Sequence, residues 1–96
     1  MSWLFEFDHA KSASNKVKHG IDFFEAQALW ADDDMVVVSA EMFDGEIRWA
    51  ALGMHEGKNW TAFFTWRNEI VRLFSVRRSR QNEKELYYSR RARKEI

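Results

Sequence analysis

Trp60-Thr61-Ala62-Phe63-Phe64-Thr65-Trp66-Arg67-Asn68-Glu69-Ile70-Val71-Arg72-Leu73-Phe74-Ser75-Val76 is the stretch on which the fold turns. Residues 60–66 and 70–76 are rich in aromatic and β-branched side chains, and the Asn68-Glu69 pair between them suits a tight turn, so the segment reads as a β-hairpin. A two-residue loop places Arg67 opposite Ile70, Thr65 opposite Arg72 and Phe63 opposite Phe74. Arg67 and Arg72 then share one face, while Phe64, Trp66, Val71 and Leu73 occupy the other. Both faces carry apolar groups, so helices are expected to cover at least part of each.

Toward the N-terminus the period of two continues at about 35–40 and 46–52, with turns at Asp44-Gly45 and His55-Glu56-Gly57. Four consecutive strands with tight connections predict an antiparallel meander. The chain has no proline, so Gly20, Gly45, Gly53 and Gly57 are expected to punctuate it between periodic segments. Trp3 to Phe7 alternates and predicts a short first strand. Asp8 as N-cap and Gly20 past the end frame a helix over about 9–19. Asp22 followed by Glu25 has the spacing of a capping box and predicts a second helix to about Ala31, stopped by Asp32-Asp33-Asp34. Beyond the hairpin, a mostly polar helix is expected over about 80–93, with Leu86 and Tyr87 as apolar members. The fold class is α+β: a short N-terminal strand and two helices, an antiparallel sheet of about four further strands, and a C-terminal helix. One domain is expected over residues 1–96.

With 46% hydrophobic and 16% aromatic residues in 96, the chain can build one compact core but hardly a second. The absence of cysteine excludes disulfides, thiolate-ligated zinc and cysteine nucleophiles, and a cytoplasmic location is expected. Glu6 and Asp8 stand where a secretory signal needs basic and then apolar residues. The longest aliphatic run, Met35 to Val38, is far short of the ~20 residues that span a bilayer, so no membrane segment is expected.

The formal net charge of zero conceals a strong asymmetry. Residues 22–56 hold nine carboxylates against Arg48 alone, a balance of −8, whereas residues 57–96 hold eleven basic side chains against four acidic ones, a balance of +7. Such separation suits a nucleic-acid or acidic-protein surface, although two solvated faces of opposite sign would look the same.

Arg77-Arg78-Ser79-Arg80 lies at the junction of the last strand and the last helix, where a helix N-terminus and bidentate guanidinium groups suit a phosphate. The plainer alternative is a Ser79 N-cap within a solvated collar. Arg72 interrupts an apolar strand and needs a ligand or a salt bridge across the sheet. Lys18 and His19 end the first helix, where cations complement its dipole. His19 also carries the only type of side chain here whose ordinary pKa suits proton transfer near neutrality. Glu46 and Arg48, two apart on one strand, can pair with each other. The tryptophans are expected mainly in the core. His9 and His55 read as surface residues. No metal-ligand spacing, glycine-rich phosphate loop or nucleophile elbow is present, so neither metal nor cofactor is expected.

The run Phe7-Asp8-x-x-Lys11-x-x-x-Asn15-x-x-Lys18-His19-Gly20, with Phe23-x-x-Ala26, Asp32, Gly45-Glu46-x-Arg48, Gly53, Thr65-x-Arg67, Arg72 and Ser75-x-Arg77, resembles the BrnT family of bacterial toxins. Glu83 and Tyr87 resemble that family's acidic and tyrosine positions in the last helix. Phe74-Ser75-Val76-Arg77 departs from the usual Ile-Ser-Ala-Arg, as does Arg78-Ser79-Arg80 from a small or threonine-containing capping segment. The resemblance implies a RelE-like fold and an endoribonuclease that inhibits translation. It also implies neutralisation by a cognate BrnA-type antitoxin, through which alone the toxin would meet operator DNA. In that setting Arg72, Arg77, Lys18 and His19 are the expected catalytic residues, and Arg48, Arg67, Arg78, Arg80 and Tyr87 the expected RNA-binding residues. A non-catalytic antitoxin-binding corepressor subunit is the alternative.

Overall fold

The computed structural model describes residues 3–94, apart from the side chains of Phe43 and Lys94. β1 (Leu4–Glu6), β2 (Val36–Phe43), β3 (Glu46–His55), β4 (Lys58–Arg67) and β5 (Ile70–Arg78) form one sheet in the order β1-β5-β4-β3-β2. α1 (His9–His19) and a 3₁₀ helix (Glu25–Ala31) lie between β1 and β2, and α2 (Gln81–Lys94) follows β5. The last four strands make the expected antiparallel meander. β1 joins the same sheet in parallel with β5, so the sheet has five strands.

All three meander loops are two residues long, and both residues of each have positive φ: Asp44-Gly45, Glu56-Gly57 and Asn68-Glu69. That geometry matches the right-handed twist of the flanking strands. Glu69 holds φ 70° without glycine's freedom. Gly53 was expected between segments, but it lies inside β3. A Cβ there would stand 3.1 Å from Leu29 Cδ2, so the missing side chain lets the 3₁₀ helix settle on the sheet.

The register of β4 and β5 follows the expected pairing from Arg67↔Ile70 to Thr65↔Arg72, and then shifts. Phe64 pairs with Leu73 and Phe63 with Ser75, leaving Phe74 as an extra residue, so the expected Phe63–Phe74 pair does not form. A β-bulge of this kind reverses the alternation of sides along a strand. Val71 and Leu73 before it, and Val76 after it, therefore all enter one core. Arg77 is turned to the opposite face. Without the bulge, Val76 would point away from the core and Arg77 into it.

The closed face of the sheet is covered by α1 and the 3₁₀ helix. Asp8 caps α1, its side chain accepting from the Lys11 N–H at 3.0 Å, and Gly20 ends it in the left-handed conformation. The second helix is 3₁₀, in keeping with Phe23, Ala26 and Leu29 being fully buried at a spacing of three. Asp22 and Glu25 do form the capping box: the Glu25 N–H donates to Asp22 Oδ1 at 2.8 Å and the Asp22 N–H to Glu25 Oε1 at 3.0 Å. Trp30 packs edge-on against Phe5 and Phe64. The tryptophans divide, since Trp30 and Trp60 are buried while Trp3 and Trp66 lie partly exposed against each other.

The second face is only partly covered. α2 sets Tyr87 and Leu86 on Val36, Ala50 and Leu52, at the β2–β3 side of the sheet. Arg48, Phe63, Phe74 and Arg77 border an open groove beside it. Among the described residues no helix is long and apolar enough to cross a membrane.

Candidate functional site

The groove on the half-covered face has a volume of about 460 Å³. β3 supplies Arg48, β4 supplies Phe63, and β5 supplies Phe74, Ser75 and Arg77, with Arg80 at the foot of α2 and Ala40 and Glu41 of β2 on the far wall. The two strand arginines that line this groove each lie on a ring: Arg48 over Phe74 at 4.5 Å and Arg77 over Phe63 at 5.1 Å. Such stacking holds the guanidinium planes while leaving edge N–H groups for other partners.

Arg77 is anchored by Glu83, which accepts from Nη1 at 2.8 Å and from Nη2 at 2.9 Å. The same carboxylate accepts the Arg80 N–H at 2.6 Å and the Thr61 hydroxyl at 3.0 Å. Because the Thr61 proton goes to Glu83, the Ser79 hydroxyl, 2.9 Å away, donates to Thr61. Ser79 is thus spent on β4 and does not cap the helix, and Glu83 performs that service from within the first turn. Burial works to raise the Glu83 pKa, but the Arg77 fork, the Arg80 N–H and Thr61 together outweigh it, so the carboxyl is held below its ordinary range. A guanidinium has five N–H donors. Glu83 takes two of Arg77's and the Arg78 carbonyl takes a third, leaving Nε–H and one Nη2–H for a ligand.

A second hollow of about 180 Å³ adjoins the first, lined by Lys11, Ser14, Asn15, Lys18 and His19 of α1 together with Phe74 and Ser75. The two share Phe74 and Ser75, so the bulge is the ridge between them. Asn15 places α1 there. Its Nδ2 donates to the Val76 and Ile21 carbonyls, both at 2.8 Å, and its Oδ1 accepts the Val76 N–H at 3.2 Å. Since β1 pairs with β5 only from Ile70 to Arg72, this amide replaces a neighbouring strand further along the edge. A third hollow of about 310 Å³ continues past Arg48 to Arg67, Glu46 and Asp44.

The structure thus brings Arg48, Arg77 and Arg80 to one groove, with Lys18 and His19 across the bulge and Arg67 at the far end. It places the other sequence-predicted residues elsewhere. Arg78 falls on the opposite side of the sheet, over the Trp60 ring at 5.4 Å, with its Nε donating to the Asn59 carbonyl. Arg72 lines none of the three hollows described, and its Nη1 donates to Glu6 at 2.6 Å, the salt bridge across the sheet. Tyr87 is buried, and its hydroxyl donates to Asp32 Oδ2 at 2.7 Å; its ring packs α2 and is not open to a base. Glu46 pairs with Arg67 at 3.4 Å instead of Arg48. Sequence reasoning missed Phe63 and Phe74 as groove walls and Glu83 as the clamp on Arg77. An acidic residue in the first turn of the last helix was the available signal for Glu83. Nothing local announced the bulge that exposes Phe74.

Among the described residues no three acidic or histidine side chains cluster as a cation site. No curated protein matches the chain. A family model described as the ribonuclease toxin BrnT of type II toxin–antitoxin systems matches residues 7–83, a span that holds all three hollows and the Arg77–Glu83 clamp. With most of its length matched, the chain belongs to the BrnT family, the ribonuclease toxins of type II toxin–antitoxin systems.

Proposed function

We propose that an RNA strand lies in the groove of the half-covered face and is cleaved there by attack of a ribose 2′-hydroxyl on the adjacent phosphorus. The O2′–P bond forms, the P–O5′ bond breaks, and the products carry 2′,3′-cyclic phosphate and 5′-hydroxyl ends. The observation that supports this is the convergence of Arg48, Arg77 and Arg80 with two aromatic walls in one open groove. The pentacoordinate phosphorane carries extra negative charge, and fixed guanidinium groups stabilise it without reorganising. Arg77 directs its two remaining N–H groups at the phosphate, Arg48 and Arg80 hold the flanking backbone, and bases stack on the layers that Phe63 and Phe74 form with the guanidinium groups over them. His19 moves the proton, with Lys18 beside it offsetting the negative end of α1. Arg67, at the far end of the groove, meets RNA only by exchanging Glu46 for a phosphate, and Arg72, paired with Glu6, braces the sheet beside the groove.

In the cell this activity inhibits translation, and a BrnA-type antitoxin neutralises it and carries the toxin to operator DNA. Arginine charge performs the task assigned elsewhere to a metal, so cleavage persists in EDTA. One observation favours the second reading, a non-catalytic corepressor: Arg67, Arg72 and Arg77 are each paired with a carboxylate of the same chain. Product chemistry separates the two. Purified protein is expected to generate cyclic phosphate ends, and Arg48→Ala and Arg77→Ala each to lower the rate about a hundredfold. Intact RNA, or undiminished cleavage by both variants, contradicts the nuclease assignment.

A further inference from the structure

The sheet has two edges, and they differ in how they are guarded. β1 offers three residues, whereas β2 offers eight, Val36 to Phe43, paired with β3 on one side only. Natural edge strands are blunted by lysine, proline, shortness or a covering helix. β2 has neither lysine nor proline, and Val37 and Met42 are 44% and 67% exposed. Its one irregularity is the register shift between Ser39 and Met42.

The charged side chains of β2 and its turn, Glu41 and Asp44, are both acidic, and the nearby arginines Arg48, Arg67, Arg77 and Arg80 share with them the hollows on the open face. Glu41 and Asp44 are exposed, and they belong to the block of residues 22–56 whose balance is −8. A second copy of the chain pairing β2 to β2 would set these carboxylates against their own kind. A basic segment would meet opposite charge while its backbone filled the vacant side of the ladder. Ala40 and Glu41 also form the far wall of the arginine groove.

We propose that the outer edge of β2 is the docking site of the antitoxin, which adds an extended basic segment as a sixth strand. Its basic side chains face Glu41 and Asp44, and its apolar ones cover Val37 and Met42. A strand added there runs along the groove's far wall and closes its mouth to RNA, so neutralisation and docking are one event. This rests on membership of a toxin–antitoxin family, and the occlusion clause rests also on the groove being the RNA site.

The test uses the full chain with the product of the adjoining reading frame that restores growth when co-expressed. Backbone amides of residues 36–42 are expected to gain hydrogen-exchange protection in the complex. Glu41→Lys with Asp44→Asn is expected to weaken binding about tenfold or more, with the effect shrinking at high salt. Both positions are exposed, so the thermal midpoint of the free variant is expected to match that of the parent chain. Protection confined to residues 4–7 and 24–27, the apolar hollow beside β1, would overturn the proposal. So would an unchanged affinity in the double variant, or protection of 36–42 arising from self-association without the second protein. A chain that docks its antitoxin at β2 yet cuts no RNA sinks only the nuclease reading; one that cuts RNA but docks elsewhere sinks only this one.

Discussion

The two faces of the sheet solve different problems with the same strands. On the face under α1 and the 3₁₀ helix, Phe23, Ala26, Leu29, Phe64, Val71 and Val76 are wholly removed from water. On the other face α2 buries little more than Tyr87 and its neighbours, and the remaining surface is held by ion pairs and rings under guanidinium groups. One face supplies stability, and the other is left open where charge can act. Stability and ligand binding are therefore expected to separate by face when residues are changed.

The largest expected effect tests that separation directly. Phe64→Ala empties a core position and is expected to cost about 3–5 kcal/mol in urea unfolding, while the fraction still folded keeps its RNA affinity. Its neighbour Phe63, one residue away on the opposite face, is expected to behave the other way. Phe63→Ala costs less stability but weakens RNA binding by about 1–3 kcal/mol, the worth of one stacked base. Equal stability losses at both positions would erase the distinction.

Asn15 joins the two regions, since its amide stands in for a strand beside Val76 and fixes α1 against the bulge. Asn15→Ala leaves three buried backbone groups without their partner, and a loss of about 3 kcal/mol is expected. Cleavage is expected to fall further than stability, because Lys18 and His19 lose their place across the ridge. Unchanged cleavage by the folded fraction would remove α1 from the site.

The smallest effect sharpens the comparison through pH, because the half-covered face is fastened by groups that titrate. Glu83 is held below the ordinary glutamate value of 4.5, so its contribution is present above that value and is lost as pH falls through the lower folded one. Tyr87 is raised above 10.0, first by burial and then by its hydrogen bond to Asp32. Its contribution is present below 10.0 and is lost as pH rises toward the higher folded value, because the unfolded chain gives up the proton first. α2 is thus expected to loosen at both extremes before the aromatic core melts, as near-UV circular dichroism and amide exchange can follow. Glu83→Gln should remove the acid limb; simultaneous loss of both faces would contradict the contrast.

The local part of this architecture was legible in the chain. Asp44-Gly45, Glu56-Gly57 and Asn68-Glu69 announced hairpins because short loops need positive φ, and Asp8, Gly20 and the Asp22–Glu25 box announced helix ends. What escaped depended on contacts distant in sequence. The bulge at Phe74 is silent because an apolar residue fits the pattern with or without it. Gly53 looked like a turn because the Leu29 it accommodates lies on another element. Arg72 was read as ligand or salt bridge, and the choice waited on β1 lying parallel to β5 with Glu6 beside it. Among the candidate site residues, Arg48, Arg77 and Arg80 line one groove, whereas Arg72 is held by Glu6 outside it, and Arg78 and Tyr87 were carried away by the register shift and by the packing of α2.

Whether RNA lies in the groove is read from backbone resonances recorded while a 2′-O-methyl RNA, which cannot supply the attacking hydroxyl, is titrated into the protein. Shifts are expected to group at Arg48, Phe63, Phe74, Ser75, Arg77 and Arg80 and to spread to Lys18 and His19. Shifts centred on Arg78 and Trp60, on the other side of the sheet, would contradict that placement.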